Sequence, residues 1–114
     1  MLTIIAEIRV HEGQQHKIKV IHAFEKITPT VLAEQGCHGY ELLVDADLNV
    51  NFQAKDDNVI TMLEYWESIE HLNAHMQTAH MQAYQAEVKD DVIDVKIRIL
   101  EKGLFVQSAI HNLA

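Results

Sequence analysis

The segment Glu64-Tyr65-Trp66-Glu67-Ser68 sets a carboxylate two positions from an indole. In an extended chain such residues share a side. If that side faces inward, the carboxyl is buried beside the ring. Burial raises a carboxyl pKa, and shifted groups cluster at functional sites. A core tryptophan with its carboxylate at a wet edge gives the same pattern. Three histidines follow, His71, His75 and His80. On a straight helix, at about 100° per residue, His71 and His75 stand about 40° apart and could share an ion. His75 and His80 stand about 140° apart and flank the helix's apolar stripe on opposite sides. Each could rim a cavity, and either could act as a general base. A metal centre needs a third ligand and a fixed outer shell. No Cys/His cluster supplies these, so no metal is expected. Cys37 falls just past a predicted helix C-terminus with His38 beside it. A reactive thiol needs a basic or helix-N-terminal setting, which makes Cys37 a weak nucleophile. There is no Gly-rich phosphate loop, no Ser-His-Asp signature and no dinucleotide fingerprint. Neither flavin nor NAD has an obvious place.

The elements that must position these groups are legible from periodicity. Ile4, Ala6, Ile8 and Val10 alternate with Thr3, Ile5, Glu7 and Arg9, which predicts a strand over 2–10. From Gln14 to Gln35 the period changes, and Val20, Phe24, Ile27 and Val31 form a helical stripe. Thr28-Pro29 within it predicts a kink or a restart, and Gly36 a stop. Tyr40 to Val44 reads as a strand. The polar stretch 45–58 reads as an extended excursion or hairpin, with Val50, Phe52 and Ala54 as its strand-like part. Val59 to Glu67 reads as a third main strand. Ser68 then caps a helix whose expected apolar stripe is Ile69, Leu72, Met76, Ala79 and Ala83. Ile93, Val95, Ile97 and Ile99 mark the last strand. The order β-α-β-β-α-β is the ferredoxin-like arrangement, an α+β fold whose antiparallel sheet carries both helices on one face. We expect one domain over 1–104 and a short tail over 105–114.

The uncovered sheet face would carry Ile5, Glu7, Arg9, Lys96, Arg98 and Leu100. Leu63 and Tyr65 join it if Glu64 and Trp66 point inward. It is half apolar with charges of both signs. Such a face can stand in water or pair with a second copy across a two-fold axis.

Composition narrows the function. Seventeen Asp and Glu against nine Lys and Arg give a net charge of −8, which disfavours nucleic-acid binding. One cysteine permits no intrachain disulfide. The opening apolar run carries Glu7 and Arg9 and lacks a signal-peptide pattern. No uncharged apolar stretch approaches the length of a membrane span. A cytoplasmic protein is the expectation.

Taken in order, Glu34-Gln35-Gly36-Cys37-His38-Gly39-Tyr40-Glu41, Glu64-Tyr65-Trp66-Glu67-Ser68, His71-Leu72 with His75, and Thr78-Ala79-His80-Met81 resemble the landmarks of the antibiotic-biosynthesis-monooxygenase family. The resemblance runs from Met1 to about Leu104. Met-Leu-Thr-Ile-Ile-Ala-Glu-Ile-Arg at the start and Ile-Thr-Pro-Thr-Val-Leu from Ile27 resemble its bacterial quinol monooxygenase branch, which acts on menadiol-type substrates. It implies a dimeric α+β barrel, a pocket between helices and sheet, and oxidation of an electron-rich aromatic by O₂ with no cofactor. By position, Trp66, His75 and His80 would line that pocket with Glu64 beside them. Met62, Met76 and Tyr84 would complete a slot for the substrate. The family often has Pro where Ala79 stands. A haem-degrading branch uses Asn where this chain has Ala6, and its axial histidine has no clear counterpart, so haem is not expected. Two other readings remain open: processing of a small oxygenated signal molecule, and a non-enzymatic dimer that binds a small apolar ligand.

Overall fold

The computed structural model describes residues 1–103, so the tail expected over 105–114 lies outside the described residues. Four strands, β1 (Leu2–Val10), β2 (Cys37–Leu43), β3 (Val59–Trp66) and β4 (Val92–Leu100), form one antiparallel sheet in the order β2-β3-β1-β4. Three helices accompany them: α1 (Gln14–Leu32), α2 (Ile69–Met76) and α3 (Ala79–Val88). The alternation read in β1 decides its facing. Ile4, Ala6, Ile8 and Val10 are buried beneath the helices, and Ile60, Met62, Glu64 and Trp66 of β3 join them. The α1 stripe Val20, Phe24, Ile27 and Val31 packs onto this layer. Burying each such side chain is worth roughly 1.5–3 kcal/mol before the chain entropy is counted.

Three expectations change. First, of the kink or restart expected at Thr28-Pro29, the restart does not occur: α1 continues through Pro29 as one helix. The carbonyl left without a donor belongs to Glu25, on the exposed side, where water can serve it. Second, the single helix expected after Ser68 is two helices. Ser68 accepts from the His71 amide as expected, but Thr78 starts a new helix by accepting from the Met81 amide at 3.3 Å. The break re-aims everything after it. The buried residues are Leu72 and His75 in α2, then Met81, Tyr84 and Val88 in α3; Ala79 and Ala83 of the expected stripe are exposed. Third, residues 45–58 form no strand. Val50 and Phe52 face solvent, and polar groups hold the excursion instead. The Asp56 amide donates to Asp45 at 2.7 Å, Gln53 donates to the Ala46 carbonyl at 2.7 Å, and Arg9 reaches Asp56 at 2.9 Å.

At the sheet edge, β4 pairs Val95 with Ile8, Ile97 with Ala6 and Ile99 with Ile4, so its apolar stripe shares the helix-side face. The helices pack over β2 and β3, and Val95, Ile97 and Ile99 are left about half exposed (47–49%). On the opposite face Ile5 sits between Leu63 and Arg98, and Glu7 lies opposite Lys96.

Candidate active site

A cavity of about 170 Å³ lies between β1, β3, β4, α2 and α3. Its walls are mostly apolar: Ala6, Ile8, Phe24, Met62, Met76, Met81, Tyr84, Val95 and Ile97 among them. Four polar side chains interrupt them: Tyr40 from β2, Glu64 from β3, His75 from α2 and Gln85 from α3. A second cavity of about 200 Å³ shares Ala6, Glu64, Met76 and Ile97 with the first.

Each of the first three has a definite electrostatic state or partner. Glu64 is 6% exposed and accepts the Trp66 indole N–H at Oε1, 2.9 Å away. Burial holds its carboxyl above the usual range, although the Trp66 bond and His75 pull the other way. Tyr40 is 4% exposed, and its hydroxyl has no hydrogen-bond partner among the described residues. Burial pushes its phenol up, so it stays a neutral O–H donor. A buried orphan hydroxyl on a cavity wall is a place for a ligand oxygen, because leaving it unpaired costs about 1–3 kcal/mol. His75 is 1% exposed, and its ring is set against Trp66 (centroids 4.7 Å) and Tyr40 (5.7 Å). Its Nδ1 meets Glu34 Oε2 at 2.8 Å, and the same oxygen meets His80 Nε2 at 2.8 Å.

The break after Met76 makes this meeting possible. On one straight helix His75 and His80 would diverge; with α3 restarted at Thr78 they converge on Glu34. Thr78 spans the joint by donating to the His75 carbonyl at 2.8 Å while capping α3. Glu34 is delivered by the turn between α1 and β2, which closes at Gly36. There φ is +83°, and an added Cβ would stand 2.3 Å from the His71 ring. The Gly36 carbonyl also accepts the Glu67 amide at 2.8 Å. Glycine is therefore required by both conformation and space.

Glu34, His75 and His80 offer three ligand atoms within 4.8 Å of one another. Tetrahedral ligands at zinc bond lengths stand roughly 3.3 Å apart. The two 2.8 Å spacings at one oxygen are hydrogen-bond lengths instead.

Of the residues singled out from sequence, Glu64, His75, Met62, Met76 and Tyr84 line the cavity. Trp66 and His80 do not. Trp66 is fully buried behind His75 and Glu64, and His80 meets the cavity group through Glu34 and through its ring pairing with His75 at 6.4 Å. His71 bonds Ser68 at 2.7 Å, away from His75's partner. Cys37 donates to the Gly39 carbonyl, and burial pushes its thiol up, as an inert cysteine requires. Tyr40 and Glu34 were the residues missed. Both stand in the Glu34-to-Glu41 landmark, but neither periodicity nor spacing gives them a role.

Comparison with known proteins agrees with this architecture. Residues 1–87 match the antibiotic biosynthesis monooxygenase family. The chain is 54% identical over 104 residues to the protein of Escherichia coli K12 named "Probable quinol monooxygenase YgiN", covering 91% of this chain and all of that one. Among solved structures, PA3566 from Pseudomonas aeruginosa superposes with a TM-score of 0.74 at 26% identity, over 89% of this chain and 92% of that one. Rv0793 from Mycobacterium tuberculosis shares the fold with a TM-score of 0.71 at 20% identity, over 88% and 92% of the two chains. The extent of these matches, over the β-α-β-β-α-α-β architecture described above, is decisive: the chain belongs to the antibiotic biosynthesis monooxygenase family.

Proposed function

We propose that the protein is a quinol monooxygenase that oxidises a menadiol-like quinol with O₂ in the cavity between sheet and helices, without metal, haem or flavin. The observation that carries this reading is the pairing of unused polar capacity with apolar walls. Among the described residues the buried Tyr40 hydroxyl has no partner and no hydrogen bond reaches His75 Nε2, and the cavity is lined mostly by methionine, aromatic and aliphatic side chains. A quinol hydroxyl suits both. His75 Nε2 takes its proton, and Tyr40 O–H donates to the oxygen that becomes negative. The quinolate passes an electron to O₂, and the resulting radical and superoxide combine to form a C–O bond. The O–O bond then breaks, giving a hydroxylated quinone and water. The quinol supplies both electrons, so no other reductant enters. Glu64, with its raised pKa, lies close enough to hold a proton for the departing oxygen.

The likeness to a relative named for quinol monooxygenation supports the substrate class. Oxygen uptake with menadiol after chelation and with no added flavin tests the reading, and ¹⁸O₂ should leave one labelled oxygen in the product. No uptake above the spontaneous rate would favour a ligand-binding protein instead. We further propose a cytoplasmic homodimer through the outer sheet face. There Ile5, Leu63 and Tyr65 are only partly covered within one chain, and Glu7 and Lys96 offer both signs for two-fold pairing. Light scattering showing only 13.0 kDa at micromolar concentration would exclude it.

A further inference from the structure

We propose that Glu34 is a positioning residue that holds His75 and His80 in opposite tautomers from a single carboxylate oxygen, so that His75 alone presents a free Nε2 to the cavity. The inference rests on the quinol-oxidation reading for its role in turnover, but not for its geometry.

An ionised carboxylate only accepts hydrogen bonds, and a neutral imidazole carries one N–H. Glu34 Oε2 lies 2.8 Å from Nδ1 of one ring and 2.8 Å from Nε2 of the other. His75 must therefore carry its proton on Nδ1, and His80 on Nε2. The lone pair of His75 is then on Nε2, and that of His80 on Nδ1. The two rings differ further in setting. His75 is 1% exposed and clamped between Trp66 and Tyr40, so it cannot turn over to exchange its nitrogens, whereas His80 side-chain exposure is 23%. The other groups facing His75 are Glu64, Tyr40, Trp66 and the His80 ring, its centroid 6.4 Å away, and Glu64 already accepts the Trp66 N–H. Once His75 takes a proton at Nε2, Glu34 faces the imidazolium at 2.8 Å and compensates its charge. A carboxylate that fixes tautomer and orientation in this way contributes to rate without touching substrate.

The test is a long-range ¹H–¹⁵N correlation spectrum of the ¹⁵N-histidine protein. In the wild type, His75 should appear with its proton on Nδ1 and His80 with its proton on Nε2. In Glu34→Ala, His75 should relax toward the Nε2–H form that free histidine prefers. With menadiol, kcat should fall by about tenfold or more with KM within about threefold, since the residue orients the base rather than binding substrate. Glu34→Gln, which keeps the shape and removes the charge, carries the same kcat expectation should the alanine variant fail to fold. A wild-type His75 with its proton on Nε2, or an Nδ1 tautomer that survives Glu34→Ala, would overturn the proposal, as would unchanged kcat in a folded Glu34→Gln. If the wild type oxidises no quinol, the functional reading falls, and the tautomer spectra decide the placement of Glu34 on their own.

Discussion

Two histidine–carboxylate pairs of the same length occupy opposite regions of this molecule. His75 Nδ1 meets Glu34 at 2.8 Å, and His16 Nδ1 meets Asp91 at 2.8 Å. In the second pair the carboxylate is the buried member (side chain 7% exposed) and the ring is the wetter one (27%). Lys19 brings a cation to Asp91 at 3.2 Å, while the Asp91 backbone ties α3 to β1 through Val88 and His11. That pair is a clamp between the first turn of α1 and the approach to β4. In the first pair the ring is buried and belongs to the lining of a cavity, and the second partner of the carboxylate is another histidine rather than a lysine. The pairing alone therefore does not mark a site. What distinguishes the two is which member is buried and whether the ring lines a cavity.

Substitutions should separate the pairs. His75→Ala is expected to lower kcat by about 10²-fold or more if it is the general base, measured as oxygen uptake with menadiol. Full turnover in this variant would erase the distinction. Tyr40→Phe should cost about tenfold or more in kcat, because it removes the donor to the developing oxyanion. Its melting temperature should stay equal or rise, since the deleted hydroxyl has no partner to lose. A melting point several degrees lower would mean the hydroxyl is satisfied in solution. His80→Ala should have a smaller effect than His75→Ala, because His80 does not line the cavity and acts through Glu34 and His75. Should only His80 matter, the two roles must be exchanged. Asp91→Asn should cost about 1 kcal/mol of stability and leave menadiol turnover unchanged.

Acidity offers the mildest contrast, and the two regions answer it in opposite directions. The His16 bond, with Lys19, holds the Asp91 carboxyl below its usual range. Its stabilising contribution is present above the ordinary aspartate value, about 3.9, and is lost as pH falls through the depressed one. Burial holds Glu64 above its usual range. Its contribution is present below the ordinary glutamate value, about 4.3, and is lost as pH rises through the raised one. Thermal melts against pH should show Asp91→Asn flattening the loss of stability toward acid and Glu64→Gln flattening the loss of stability as pH rises above the ordinary glutamate range. A Glu64→Gln melt parallel to the wild type throughout would mean that Glu64 is solvated.

The sheet was readable from sequence because its signal is local. Ile4, Ala6, Ile8 and Val10 alternate, and the buried face follows from that alone. The α1 stripe was equally plain. The site was not, because it depends on a joint. Thr78 looks like one more residue of a helix, and only its capping bond to Met81 shows that a new helix begins there. With the joint unseen, His75 and His80 appeared to diverge. Glu34, 41 residues before His75, could not be placed against either. Tyr40 was visible as a strand residue, but its missing hydrogen-bond partner is a property of packing that no spacing encodes. Trp66 shows the converse: alternation put it on one side with Glu64, and that side is the inner one, yet inward means behind Glu64 and His75 rather than on the cavity wall.

Trp66 is the chain's single tryptophan, fully buried, with its indole against the His75 ring and its N–H on Glu64. The protein thereby carries a native fluorophore in contact with two polar side chains of the cavity, Glu64 and His75. Emission from that one indole reports on the charge of its neighbours, since a protonated imidazole quenches an adjacent indole. A ligand that enters beside His75 and Glu64 would change the surroundings of that indole, so binding can be sought optically in the unmodified chain, without a label or a coupled assay.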